Sequence, residues 1–269
     1  MRSVLSLLLA LGTGAAGLEA QSAPPGDASL AAAAAPVPWG PGERATYRVT
    51  YGLLGGVGEA TVEVEGIDTV RGHPAYLLSF RLKGGVAVWK ANDRQSSWLD
   101  VRGLYSHRFY QNINETTYKR VRTLDFFPQE GIYRWLERDN REDTLAVKDP
   151  LDDISFMYWA RTLPLEVGKT YTFNRYYKNE GNPVVVRVLR RDQVKVQAGT
   201  FNTIVLKPTI KTDGLFSEGG QAELHFSDDD RRMLVFMSVK MSIGTLKLHL
   251  KEYTPGTRLA ARRFTAPAS

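Results

Sequence analysis

Residues able to do chemistry are few and scattered. The four histidines are His73, His107, His225 and His249. None stands three or four residues from another, so no helix presents a pair to one metal ion and no HExxH arrangement exists. Each reads as a surface or turn residue, and no metal site is assigned. There are no cysteines, which removes disulfides, thiolate metal sites and cysteine nucleophiles. A GxSxG elbow and a phosphate-binding glycine loop are both missing.

The acids say little more. With 29 of them, some pair falls at the spacing of a glycosidase acid and base whatever the fold. Asp93, Asp125 and Asp153 stand out only because each lies in or beside an apolar run. Three consecutive aspartates, Asp228, Asp229 and Asp230, follow Ser227. A calcium loop needs carboxylates at alternating positions, a glycine and a distant bidentate glutamate. This stretch lacks that spacing, and Arg231 and Arg232 follow at once to neutralise it. It reads as a charged turn between two strands, because Asp and Ser side chains bond nearby backbone amides. No catalytic residue and no cofactor emerges from these patterns.

Aromatic and thioether side chains carry the remaining signal. Trp89, Trp98, Tyr105, Phe109, Trp135, Tyr158 and Trp159 form either a large aromatic core or the wall of an apolar or sugar-stacking cavity. Met233, Met237 and Met241 share one face of a strand and make a pliable stripe. On the cavity reading, Met157, Trp159, Met233, Met237, Met241 and Trp89 contact a lipid or glycan.

The elements that must position these residues are mostly strands. In "ERATYRVTY", Ala45, Tyr47, Val49 and Tyr51 alternate with Arg44, Thr46, Arg48 and Thr50. "EATVEVEG" repeats the period after a glycine-rich turn, which predicts a hairpin. Pairing Thr50 with Thr61 sets Arg48 opposite Glu63. Further period-two runs continue to residue 253, bounded by Gly and Pro. Even spacing of this kind argues for an antiparallel sheet rather than βαβ units. One segment departs from it. "DPLDDISFMYWARTLP" predicts a short, very apolar helix over about 150–162, with Asp149 as cap, Pro150 at the first helical position and Pro164 as stop.

The ends read as unpacked. Arg2, the apolar run Val4–Leu11 and the small residues after it have the layout of a cleavable leader over 1–20. Residues 21–40, rich in Ala and Pro, read as a linker, and 254–269 as a frayed basic tail. No segment is long and apolar enough to span a bilayer, and without cysteine there is no lipid anchor. Net charge is +6, with the basic residues scattered along alternating strands. A solvated basic face suits this better than a nucleic-acid partner, and leaves weak attraction to anionic envelope polymers or lipid head groups.

Four stretches in order resemble the bacterial exported family known as domain of unknown function 3108. They are "GERATYRVTYGLLGGVGEATVEV", "DPLDDISFMYWARTLPLEVGKTY", "VQAGTFNTIVLKP" and "FSDDDRRMLVFMSVKMSIGTLKLHL". The resemblance implies a β-rich envelope protein and carries over no activity and no catalytic residue. The expected fold is mainly β: a curved sheet, open barrel or sandwich of about a dozen antiparallel strands, with one short buried helix, in a single domain over 41–253. The expected function is a non-enzymatic periplasmic binding or scaffolding protein for a lipid or glycan. An envelope hydrolase acting on glycans with paired carboxylates is the alternative.

Overall fold

Period-two patterning commits most of the chain to one sheet. The computed structural model describes residues 34–53, 55–86, 89–211, 221–240 and 244–259, the Trp89 side chain excepted. The expected leader, most of the expected linker and the end of the basic tail lie outside the described residues. Eight strands come first: β1 (Arg44–Tyr51), β2 (Gly56–Val70), β3 (His73–Val86), β4 (Trp89–Asp100), β5 (Ser106–Asn114), β6 (Lys119–Phe127), β7 (Ile132–Trp135) and β8 (Arg141–Thr144). Helix α1 (Asp153–Trp159) follows. Then come β9 (Thr170–Phe173), β10 (Val184–Val196), β11 (Gly199–Thr209), β12 (Gln221–Ser227), β13 (Leu234–Lys240) and β14 (Thr245–Thr254).

All 14 strands form one antiparallel sheet in the order β8-β7-β6-β5-β4-β3-β2-β1-β14-β13-β12-β11-β10-β9. Chain order is kept except at the centre, where β1 pairs with both β2 and β14. The edges β8 and β9 do not pair, so the sheet curves without closing.

The curve wraps the helix. Met157 and Tyr158 of α1 line one small gap together with Ala45 and Tyr47 of β1, Val62 of β2, and Leu224 and Phe226 of β12. Trp159 meets Phe173 of β9 edge-on, ring centroids 4.7 Å apart. A helix apolar around its whole circumference needs such an enclosure, and Ile154 through Trp159 are all buried. The alternation holds in the strands around it: Val235, Met237 and Val239 of β13 and Leu248 and Leu250 of β14 turn inward.

Four local expectations need correction. In the first hairpin Thr46, not Thr50, faces Thr61, and Arg44, not Arg48, faces Glu63, with an ion pair at 3.2 Å. The Arg/Thr and Glu/Thr rows satisfy charge in either register. The turn, closed by Tyr51 N–H on the Gly55 carbonyl, selects between them. The helix starts later than expected and is capped by Asp152, not Asp149. The Asp152 carboxylate accepts from the Ile154 and Ser155 amides, and Ser155 Oγ accepts from the Asp152 amide. Residue 151 is held extended by Leu151 N–H on the Arg175 carbonyl (2.6 Å) and Tyr177 N–H on the Leu151 carbonyl, so no helix forms before it. A short 3-10 turn, Ala160–Thr162, ends the segment. Leu163, preceding Pro164, is extended as such residues prefer.

The expected linker ends sooner than residue 40. Val37 and Trp39 are core residues, and the Trp39 ring packs edge-on against Tyr76 and Tyr158. The start of the expected tail is also pinned, by Thr257 N–H on the Pro41 carbonyl and Arg258 on Asp230.

Candidate functional site

The interior was the first place expected to hold a ligand. Met157 and Met233 do face a common cavity, but its volume is about 20 Å³, the size of a single water. Met237 is buried in the core. Trp159 packs against Phe173 and lies beneath the Arg175 guanidinium at 5.1 Å. Met241 and the Trp89 side chain lie outside the described residues. The stripe and the helix are thus brought together, and packing fills the space between them.

A second interior region is polar. Inward-facing positions of β4 to β6 hold Asp93, Gln95, Gln111 and Arg122, all buried. Gln111 donates to Gln95, and Asp93 accepts from the Asn114 amide at 2.9 Å. This wall leads to the N-terminus of α1. There Asp152 also accepts from Ser97 Oγ at 2.6 Å, and Ser106 bonds Ser155. Burial pushes the Asp152 carboxyl up to about 6, against the pull of its hydroxyl and amide donors. Burial likewise raises Asp153, which accepts from Tyr176 Oη and faces Arg122.

The acids singled out as glycosidase candidates do not converge. Asp93 and Asp153 are occupied as described. Asp125 lies on the outer face, clamped by Arg108 and Arg71. The three aspartates before β13 form a turn, as expected. Asp229 Oδ1 accepts from Ser227 Oγ (2.6 Å) and the amides of Arg231 and Arg232. Arg232 feels the charge of Asp228, as expected, and arginines from other elements pair with the turn as well. Asp228 pairs with Arg191, and Asp230 with Arg258. Arg232 also donates to the Arg161 and Leu163 carbonyls, where a cation suits the end of a helical segment.

An open space lies at one end of the sheet, where the β5–β6 connection meets the end of β3 and the start of β4. Lys83, Gly84, Gly85, Val86, Lys90, Ala91, Asn92, Asn114, Glu115, Thr116 and Lys119 surround a groove of about 660 Å³. Hydrogen bonds join the β5–β6 connection to the start of β4: Thr116 N–H to the Lys90 carbonyl, and Lys90 N–H to Thr116 Oγ1. A Cβ at Gly84 would stand 2.3 Å from the Val57 carbonyl oxygen, so close strand packing there requires glycine. Three lysines against one glutamate give the groove a positive balance. Tyr118, in the same turn as Glu115 and Thr116, is half exposed. Sequence reading missed this site, because each lysine alternates outward on its own strand like any solvated residue. Only the shared end of two hairpins brings them together.

Among the described residues no helix is long and apolar enough to cross a membrane. No curated protein matches the chain. Among solved structures, the chain is similar to the β-barrel-like protein of domain of unknown function DUF1849 from Brucella abortus. That match has 12% identity and a TM-score of 0.54, and covers 82% of this chain and all of the other. A weaker likeness, TM-score 0.36 at 10% identity over 81% of this chain and 98% of the other, is to "a putative lipoprotein from Parabacteroides distasonis ATCC 8503". The first match supports the curved, barrel-like fold. Residues 46–251 match the protein family of unknown function DUF3108, and the chain belongs to that family.

Proposed function

We propose that this is an exported envelope protein that binds an acidic glycan, without chemistry, in the open groove between the β5–β6 connection and the adjoining ends of β3 and β4. The observation that carries the reading is the convergence of Lys83, Lys90 and Lys119 on one open groove. Its volume falls within the roughly 300–1,000 Å³ of ordinary ligand sites. Asn92, Asn114 and Thr116 offer hydrogen bonds to hydroxyls, and Tyr118 offers a ring nearby. A lipid tail among the methionines has little support, because the space there is the size of one water. On this reading Met157, Trp159, Met233 and Met237 pack the core. The hydrolase alternative has little support either, since each candidate acid is held by its own partner.

Titration with oligogalacturonate, with dextran oligomers as neutral control, tests the groove. Saturable binding to the acidic sugar, weakened by salt and lost in Lys83→Glu/Lys90→Glu/Lys119→Glu, is expected. Equal binding of dextran, or full affinity in the triple variant, overturns the reading. Export is tested separately: the periplasmic form should begin near Gln21, and native protein beginning at Met1 in the cytosol rules it out.

A further inference from the structure

We propose that His73, Asp100 and His107 form a site for a zinc-type divalent cation on the outer face of the sheet, at the end opposite the lysine groove. Among the described residues this is the one group of three such side chains that offers converging ligand atoms, all within 4.8 Å of one another. His107 Nε2 lies 2.9 Å from Asp100 Oδ2, and the His73 and His107 rings stack with centroids 4.9 Å apart.

The backbone sets up this convergence. The β2–β3 turn, with Arg71 and Gly72 both at positive φ, delivers His73 at the start of β3. Ala75 pairs with Asp100, so His73, two positions earlier, faces the same side as Asp100. His107 arrives through an irregularity. Trp98 pairs with Arg108 and Leu99 with Ser106, so His107 is the extra residue of a β-bulge. Ser106 keeps its inward bond to Ser155, and the bulge turns His107 outward onto Asp100. Bulges commonly re-aim a side chain beside functional sites.

The donors are also prepared. Asp100 Oδ1 accepts from the amides of Arg102 (2.8 Å) and Gly103 (2.6 Å), which fixes the carboxylate and leaves Oδ2 turned to the histidines. Such outer bonds orient ligands in metal sites. The Tyr105 ring stands edge-on to His107 at 4.9 Å and shields one side. Two imidazoles and one carboxylate suit zinc, with bonds of about 2.0–2.2 Å and a fourth position open to water. Asp100 and His107 are already at near-ligand spacing. His73 is exposed, and coordination calls for a rotation of its side chain toward the other two.

The test uses the full chain, free of any affinity tag and stripped with a chelator, titrated with cobalt(II) and followed by its visible absorption. One equivalent should bind with a tetrahedral spectrum, and zinc should displace it. His73→Ala, an exposed change that leaves the core intact, should weaken binding at least about tenfold. Asp100→Asn should do the same, while His249→Ala should not. Circular dichroism of each variant separates loss of fold from loss of site. Absence of saturable binding by the folded wild type, or unchanged affinity in folded His73→Ala, overturns the proposal.

Discussion

Arg161 and Glu43, 118 residues apart, meet in a buried two-pronged ion pair with distances of 2.6 and 3.0 Å. Tyr253 of β14 donates to the same carboxylate at 3.0 Å, and Arg161 reaches on to the Arg231 carbonyl. The end of the helical segment is thereby tied to both central strands and to the aspartate turn. Removing one partner strands the other charge in the core. Glu43→Gln or Arg161→Met should each cost about 3–5 kcal/mol in a urea titration, and Glu43→Leu/Arg161→Met should cost less than either. A double variant as unstable as the sum of the singles would show that the pair itself, not the cost of an orphaned charge, sets the stability.

Asp152 makes stability fall as the pH rises from acid. Its carboxyl is pushed up to about 6 from the usual 3.8, so between these values the folded chain holds a proton that the unfolded chain has lost. The contribution is full below about pH 4 and gone above about pH 6. At about 1.4 kcal/mol per pH unit, it amounts to about 3 kcal/mol. Asp152→Asn keeps an oxygen for the Ile154 and Ser155 amides and should flatten that part of the stability–pH curve. An unchanged slope in the variant would assign the titration to another group.

Asp229 should matter as an acceptor and not as a charge. Asp229→Asn retains the oxygen that Ser227 and the two amides share, and should stay within about 1 kcal/mol of wild type. Asp229→Ala leaves those donors without it and should cost about 2–3 kcal/mol. Equal losses in the two variants, read from thermal unfolding, would mean that the charge itself is required.

The strands and the helix were legible because their periods are local. β8 and β9 were not: four residues each, in polar surroundings, carry too little pattern to separate from turns. The helix cap was ambiguous for a physical reason. Asp149, Asp152 and Asp153 all suit a helix start, and the choice falls to the bonds that Leu151 makes with Arg175 and Tyr177. Trp39 was hidden among alanines and prolines, whose composition resembles a linker whether or not one bulky side chain finds a pocket. The His73–Asp100–His107 group could not be read from spacing, since rules for metal pairs address one helix or one loop. Here three strand ends and a bulge assemble it. The lysine groove was hidden in the same way, by two separate hairpins that end side by side.

The pairing of β1 with β14 places the first and last strands of the sheet at its centre. A growing chain can therefore complete two partial sheets, β1 to β8 and β9 to β13, but cannot join them before Thr254 has been made. Until then β1 and β13 each present an unpaired edge, and such edges invite association with other chains. The closing contacts have nearly the largest sequence separation the domain allows, which slows folding. Because Arg44 and Thr254 are neighbours, a short peptide joining these ends would turn the slowest contact into a local hairpin. Opening the chain between β8 and β9 would then give a permuted protein with the same sheet and a faster route to it.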